Sequence, residues 1–167
     1  MRWIRFTILI LVAAILQTSL VQLLALTEAE IKPNLLLILL VYFSVHANGA
    51  DGIITSFAIG LCADLIGSGV GPQMVSFGLT GSLLTEIRKL IDLRPILNQI
   101  IVVVLAGMLS GLLTLPLYAV KGCPSPAGHW PILLWEPLYS SLLAPLLFWV
   151  INVIMGHSAN RQRPMIS

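Results

Sequence analysis

Apolar segments long enough to cross a lipid bilayer recur along this chain, and almost nothing charged interrupts them. The clearest covers residues 4–26 without a Pro or Gly. At about 1.5 Å per residue it is roughly 35 Å long, enough to cross a hydrocarbon core of about 30 Å. Nine Lys or Arg and seven Asp or Glu occur among 167 residues, or 10% of the chain. Soluble domains average about 25% charged residues. So few charges do not keep a chain that is 57% hydrophobic in water. A water-soluble domain, a disordered chain and a coiled coil are all excluded. An integral membrane protein remains. The net charge of +2 is too small to point to a nucleic-acid partner.

Six apolar helices in one transmembrane domain, residues 1–167, are expected. Their ranges are 4–26, 34–46, 53–66, 72–87, 96–118 and 132–155. The first follows Arg2 and Arg5. It is too long for a signal-peptide core and has no small-residue cleavage site, so it reads as a retained span. Pro33 suits the first turn of the second helix. Turn signals lie in Ala47-Asn-Gly-Ala-Asp-Gly52 and Gly67-Ser-Gly-Val-Gly71. The second and third helices are short, and charge decides how they are counted. With the N-terminus in the cytoplasm and six crossings, Arg2, Arg5, Arg88, Lys89, Arg94, Arg161 and Arg163 lie inside, and only Lys32 and Lys121 outside. That is the positive-inside pattern. Fusing the two helices into one crossing reverses it for Arg88, Lys89 and Arg94. A re-entrant hairpin keeps the same parity. Both termini are therefore expected in the cytoplasm. Trp3 and Phe6 near one boundary, and Tyr118, Trp130, Trp135 and Tyr139 near the other, agree with this frame.

Asp64 is the most informative residue. An acid inside an apolar segment is costly, and the C-terminal end of its own helix disfavours it further. Ser56, Gly60, Asp64 and Gly67 fall within about an 80° sector, a small polar face suited to packing against another helix. Asp64 then either accepts hydrogen bonds from the backbone of the following turn and helix, or binds a ligand or partner. Gly107-Met-Leu-Ser-Gly111, and Gly78 with Gly81, read as close helix contacts within the chain. Glu86, Arg88, Lys89, Asp92 and Arg94 form a charged inner loop. It sets orientation, or docks a cytoplasmic partner or anionic lipid. Glu136 is expected in the first turn of the last helix, where an acid is favourable. His46, His129 and His157 are too scattered for a metal site. Cys62 and Cys123 read as free thiols. Nothing in the sequence supports catalysis, and no cofactor is expected.

The order of these features resembles the bacterial rod shape-determining protein MreD family. Lys32-Pro33-Asn34-Leu-Leu-Leu-Ile-Leu-Leu-Val-Tyr42 is similar to that family's Pro-Asp/Asn start of a second helix. Gly60-Leu-Cys-Ala-Asp64-Leu-Ile-Gly67 is similar to its glycine–aspartate segment, and Gly71, Gly78 and Gly81 follow at similar distances. The turn Gly69-Val-Gly71-Pro72 departs from the family's leucine-rich version. The resemblance implies a fold like the six-helix substrate-binding components of vitamin transporters. It implies an inner-membrane scaffold of the cell-elongation machinery, acting in lateral peptidoglycan synthesis without catalysis. Its partners would be a single-span MreC-like protein, MreB-like actin filaments and cell-wall synthases. Carried over by position, the candidate structural or partner-binding residues are Pro33, Asn34, Gly60, Asp64, Gly67 and Gly71.

Two other readings compete. A membrane substrate-binding subunit of a vitamin importer would enclose a polar pocket near its outer face and carry AxxxA contacts in its first helix. Here that helix has adjacent Ala13 and Ala14 and no AxxxA. A membrane enzyme acting on lipid or wall precursors would need clustered acids or histidines at one interface. Asp64 and Glu136, both towards the outside, are all the chain offers.

Overall fold

The computed structural model of the chain describes residues 3–23, 34–47, 49–67, 71–88, 95–121 and 130–155. These residues form α1 (Trp3–Leu23), α2 (Leu35–His46), α3 (Gly49–Ile66), α4 (Pro72–Ile87), α5 (Ile96–Lys121) and α6 (Trp130–Met155). Among the described residues, three helices are long and apolar enough to cross a bilayer: α3, the Ile96–Tyr118 part of α5 and the Trp135–Ile154 part of α6. Pro33, Lys89 and Arg94, together with Cys123, His129 and His157, lie outside the described residues.

The architecture follows from α2. Its sequence, Leu-Leu-Leu-Ile-Leu-Leu-Val-Tyr-Phe-Ser-Val-His, has no polar face. A helix that is apolar all round belongs in a core. Leu36 through Ser44 are each at most 3% exposed, and α2 touches all five other helices. With twelve residues it is only about 18 Å long. It is the axis around which the longer helices pack. Aromatic rings lock it sideways. Phe43 meets Phe6 of α1 edge-on at 4.8 Å, and Tyr42 meets Phe148 of α6 at 5.5 Å. The Tyr42 hydroxyl donates to Asn152 Oδ1 at 2.6 Å.

Helices α3 and α4 form the most extensive pair, and they run antiparallel. A methyl group on Gly52 would meet Thr85, one on Gly81 would strike Ser56, and one on Gly78 would strike the Phe57 ring. Small residues thus alternate along the seam, which lets two helices approach closely without large side chains. Gly60 is the tightest point. A Cβ there would lie 2.7 Å from Met74 Cα and 2.9 Å from Gln73 O, both backbone atoms that have no rotamer to escape into.

Outward faces are apolar too. Ile8, Leu11 and Ile15 of α1, Leu105 and Leu112 of α5, and Leu142, Leu146 and Trp149 of α6 are all exposed. An apolar exterior around an apolar core is the pattern of a protein whose solvent is lipid.

Two expected boundaries shift. Helix α3 starts at Gly49, four positions before the expected Ile53, so the turn signal of 47–52 contracts to its first residues. Asp51 in the first turn favours that earlier start through the helix dipole. Helix α6 starts at Trp130, so Glu136 is not in its first turn and cannot be explained as an N-terminal acid. Of the basic residues in the charged loop, Arg88 is described. The Arg88 guanidinium donates to Ala47 O just past the end of α2, and Thr85 Oγ1 donates to Ser44 O at 3.2 Å. Arg88 therefore caps the core helix, the role favoured for a cation at a helix C-terminus.

The seam yields a paired prediction. Gly60→Ala should lower stability by about 1–3 kcal/mol, the cost of overpacking against immovable atoms. Gly49→Ala, where a methyl group meets nothing within 4 Å, should stay within about 0.5 kcal/mol of wild type. Thermal unfolding of both variants in detergent micelles checks the contrast, and equal midpoints would remove Gly60 as a packing constraint.

Candidate functional site

Of the candidate residues, Asn34, Asp64, Gly67 and Gly71 lie at one end of the bundle, where α2 and α4 begin and α3 ends, and Arg88 lies at the other end of α2. Asp64 lies in the last turn of α3 and is 1% exposed. Its Oδ2 accepts from Gly71 N at 2.7 Å and Met74 N at 2.8 Å, and its Oδ1 accepts from Gln73 N at 3.0 Å. The first N–H groups of any helix lack partners within it. Pro72 at the start of α4 has no N–H, and Gly71 offers no capping side chain. Asp64 takes the three remaining donors. The carboxylate stands against the dipole of its own helix but faces the favourable N-terminal end of the next. Gly71 makes the turn with φ of 120°, a conformation that disfavours any residue with a Cβ. Gly67 N closes α3 by donating to Ala63 O at 3.0 Å.

Asn34 does the same work for α2. Its Oδ1 accepts from Leu37 N at 3.0 Å, while its own N donates to Ser140 Oγ at 2.8 Å. Gln17 of α1 reaches in, its Oε1 accepting from Leu36 N at 3.2 Å. The Asn34 amide nitrogen donates to Glu136 Oε1 at 3.0 Å. Residues from α1, α2 and α6 thus join to satisfy one buried helix start. Neither Gln17 nor the Asn34–Glu136 pair was readable from the sequence. Its only trace is that Glu136 and Ser140 are one turn apart on the same helix face.

The two capped starts flank one cleft of about 130 Å³. Asn34 and Leu37 contribute from α2, Gln73 and Phe77 from α4, Ser110, Thr114 and Tyr118 from α5, and Glu136 and Pro137 from α6. Asp64 does not line it; by holding Gln73 N it sets where Gln73 sits. Gly107 lets α5 approach Pro137 of α6, so this part of the GxxxG pattern is used within the chain. Among the described residues no group of three or more His, Cys, Asp or Glu could hold a metal.

Fold and site together define a multi-helix membrane protein whose buried hydroxyls bond largely to carbonyls of their own helices, and whose Asp64 and Asn34 hold helix starts. The family model described as rod shape-determining protein MreD matches residues 1–154. The chain belongs to that family, whose role is in determining rod shape as part of the Mre system. No curated protein and no solved structure matches it.

Asp64→Asn keeps the size but turns an NH₂ group towards backbone donors. It should cost about 1–3 kcal/mol or more and lower the amount of folded protein. Quantifying a fluorescent fusion in membranes, together with its melting point, reads this out. Wild-type stability with lost function would instead place Asp64 in direct contact with a partner.

Proposed function

We propose that this chain is a non-catalytic inner-membrane scaffold of the cell-elongation machinery. It crosses the membrane six times as one domain, with both termini in the cytoplasm, in a fold like the substrate-binding components of vitamin transporters. Through partner binding it supports lateral peptidoglycan synthesis. An MreC-like single-span protein packs against its apolar exterior, and MreB-like filaments and wall synthases complete the assembly.

One observation carries this reading beyond the family membership. The buried acid that chemistry would draw on, Asp64, has both oxygens engaged by three backbone N–H groups. A carboxylate held that way shapes a fold, its oxygens taken up by the turn it closes. Orientation has its own support. Arg5 Nη1 donates to Ile154 O at 3.2 Å, which brings the start of α1 beside the end of α6. Arg88 lies beside the end of α2. The importer reading gains less: a cleft of about 130 Å³ falls short of the roughly 300–1,000 Å³ that encloses a vitamin-sized ligand.

Depleting the protein in its host should round the cells and stop side-wall insertion, seen by labelling new wall. Normal shape and wall growth would sink the scaffold role. For the cytoplasmic face, reversing Lys89 and Arg94 while sparing the capping Arg88 should reduce co-purification of a partner. Unchanged recovery removes that loop from the interface.

A further inference from the structure

The cleft holds polar groups that nothing among the described residues engages. Glu136 Oε1 takes the Asn34 amide, but its Oε2 has no hydrogen-bond partner and is not sealed off. The Gln73 amide and the Tyr118 hydroxyl also line the cleft without a partner. Ser110 Oγ donates to Gly107 O at 3.0 Å, while the Thr114 hydroxyl is already taken up by Ser110 O at 2.6 Å and Ser76 Oγ at 2.8 Å. Hydroxyls that donate into their own helix turn lone pairs outwards. The lining therefore offers acceptors and carries one carboxylate, with no cation among its described residues. Such a site repels phosphate and carboxylate. It suits a group with several N–H donors and a positive charge, and a primary ammonium has three donors and no acceptor.

Depth narrows the source. Tyr118 lies three residues before the end of α5 at Lys121, and Glu136 six residues after the start of α6 at Trp130. At about 1.5 Å per residue both lie within about 10 Å of a helix end, in reach of lipid headgroups. Trp135, 54% exposed, is placed as an interfacial anchor. A volume of about 130 Å³, at about 30 Å³ per water-sized group, admits an aminoethyl tip. We propose that this cleft binds the ammonium of an ethanolamine phospholipid, with Glu136 as counter-charge and Gln73 and Tyr118 as further acceptors. The assignment rests on the membrane setting and stands apart from the scaffold reading.

Native mass spectrometry of the purified full chain with added lipids tests it. Phosphatidylethanolamine should be retained about tenfold better than phosphatidylglycerol or phosphatidylcholine, since a trimethylated nitrogen has no N–H to donate. Glu136→Gln should abolish the preference, and Gln73→Leu should cut it about threefold, with melting points showing that both variants fold. If Glu136→Gln does not fold, Gln73→Leu carries the readout. Equal retention of the three lipids by wild type overturns the proposal, as does a folded variant that keeps full preference. Binding of ethylammonium without any lipid preference also overturns it, and points to a protein lysine instead.

Discussion

In lipid every backbone polar group must find its partner inside the protein, because no water is there to supply one. The bond between Asp64 and the first turn of α4 is the sharpest answer to that demand. It closes the α3–α4 turn, covers a helix start that has no cap of its own, and keeps the glycine seam in register. Without it, three N–H groups would point into an apolar interior. The close approach at Gly60 and the left-handed Gly71 both depend on the chain turning at that place.

Around α2 the same demand is met differently. A core helix of only twelve residues has both ends bonded by side chains of other helices. At its start Asn34, Gln17 and Ser140 supply the bonds, and at its end Arg88 and Thr85 do. Charged residues in this protein are few, and Asp64 and Arg88 both sit where a helix begins or stops. That placement explains how a chain with so little charge still has one defined packing: the caps choose the register, and apolar contact, which is not directional, fills the rest.

Much of this was legible in the residues. The six helices are visible as apolar runs between Gly, Pro and Asn breaks, because those residues change local conformation whatever surrounds them. Asp64 could be singled out because burying an acid is costly enough to demand a reason, and bonding to the next turn was one of the two reasons available. What stayed hidden depends on contacts far apart in sequence. That Glu136 meets Asn34, that Gln17 reaches α2, and that Arg88 caps the core helix are facts of packing, and no spacing rule encodes them. The burial of α2 lay between. Its all-round apolarity signalled enclosure, but periodicity does not tell lipid from protein as the enclosing medium.

The two-ended capping of α2 has a mechanical consequence. Sliding the helix by one residue, about 1.5 Å, would pull it off its fastenings at both ends at once, so small axial displacements are resisted in either direction. A bundle built on such a fixed axle does not relay force by letting its centre slip. Any rearrangement of the bundle must carry α2 together with the residues that fasten it, as one unit.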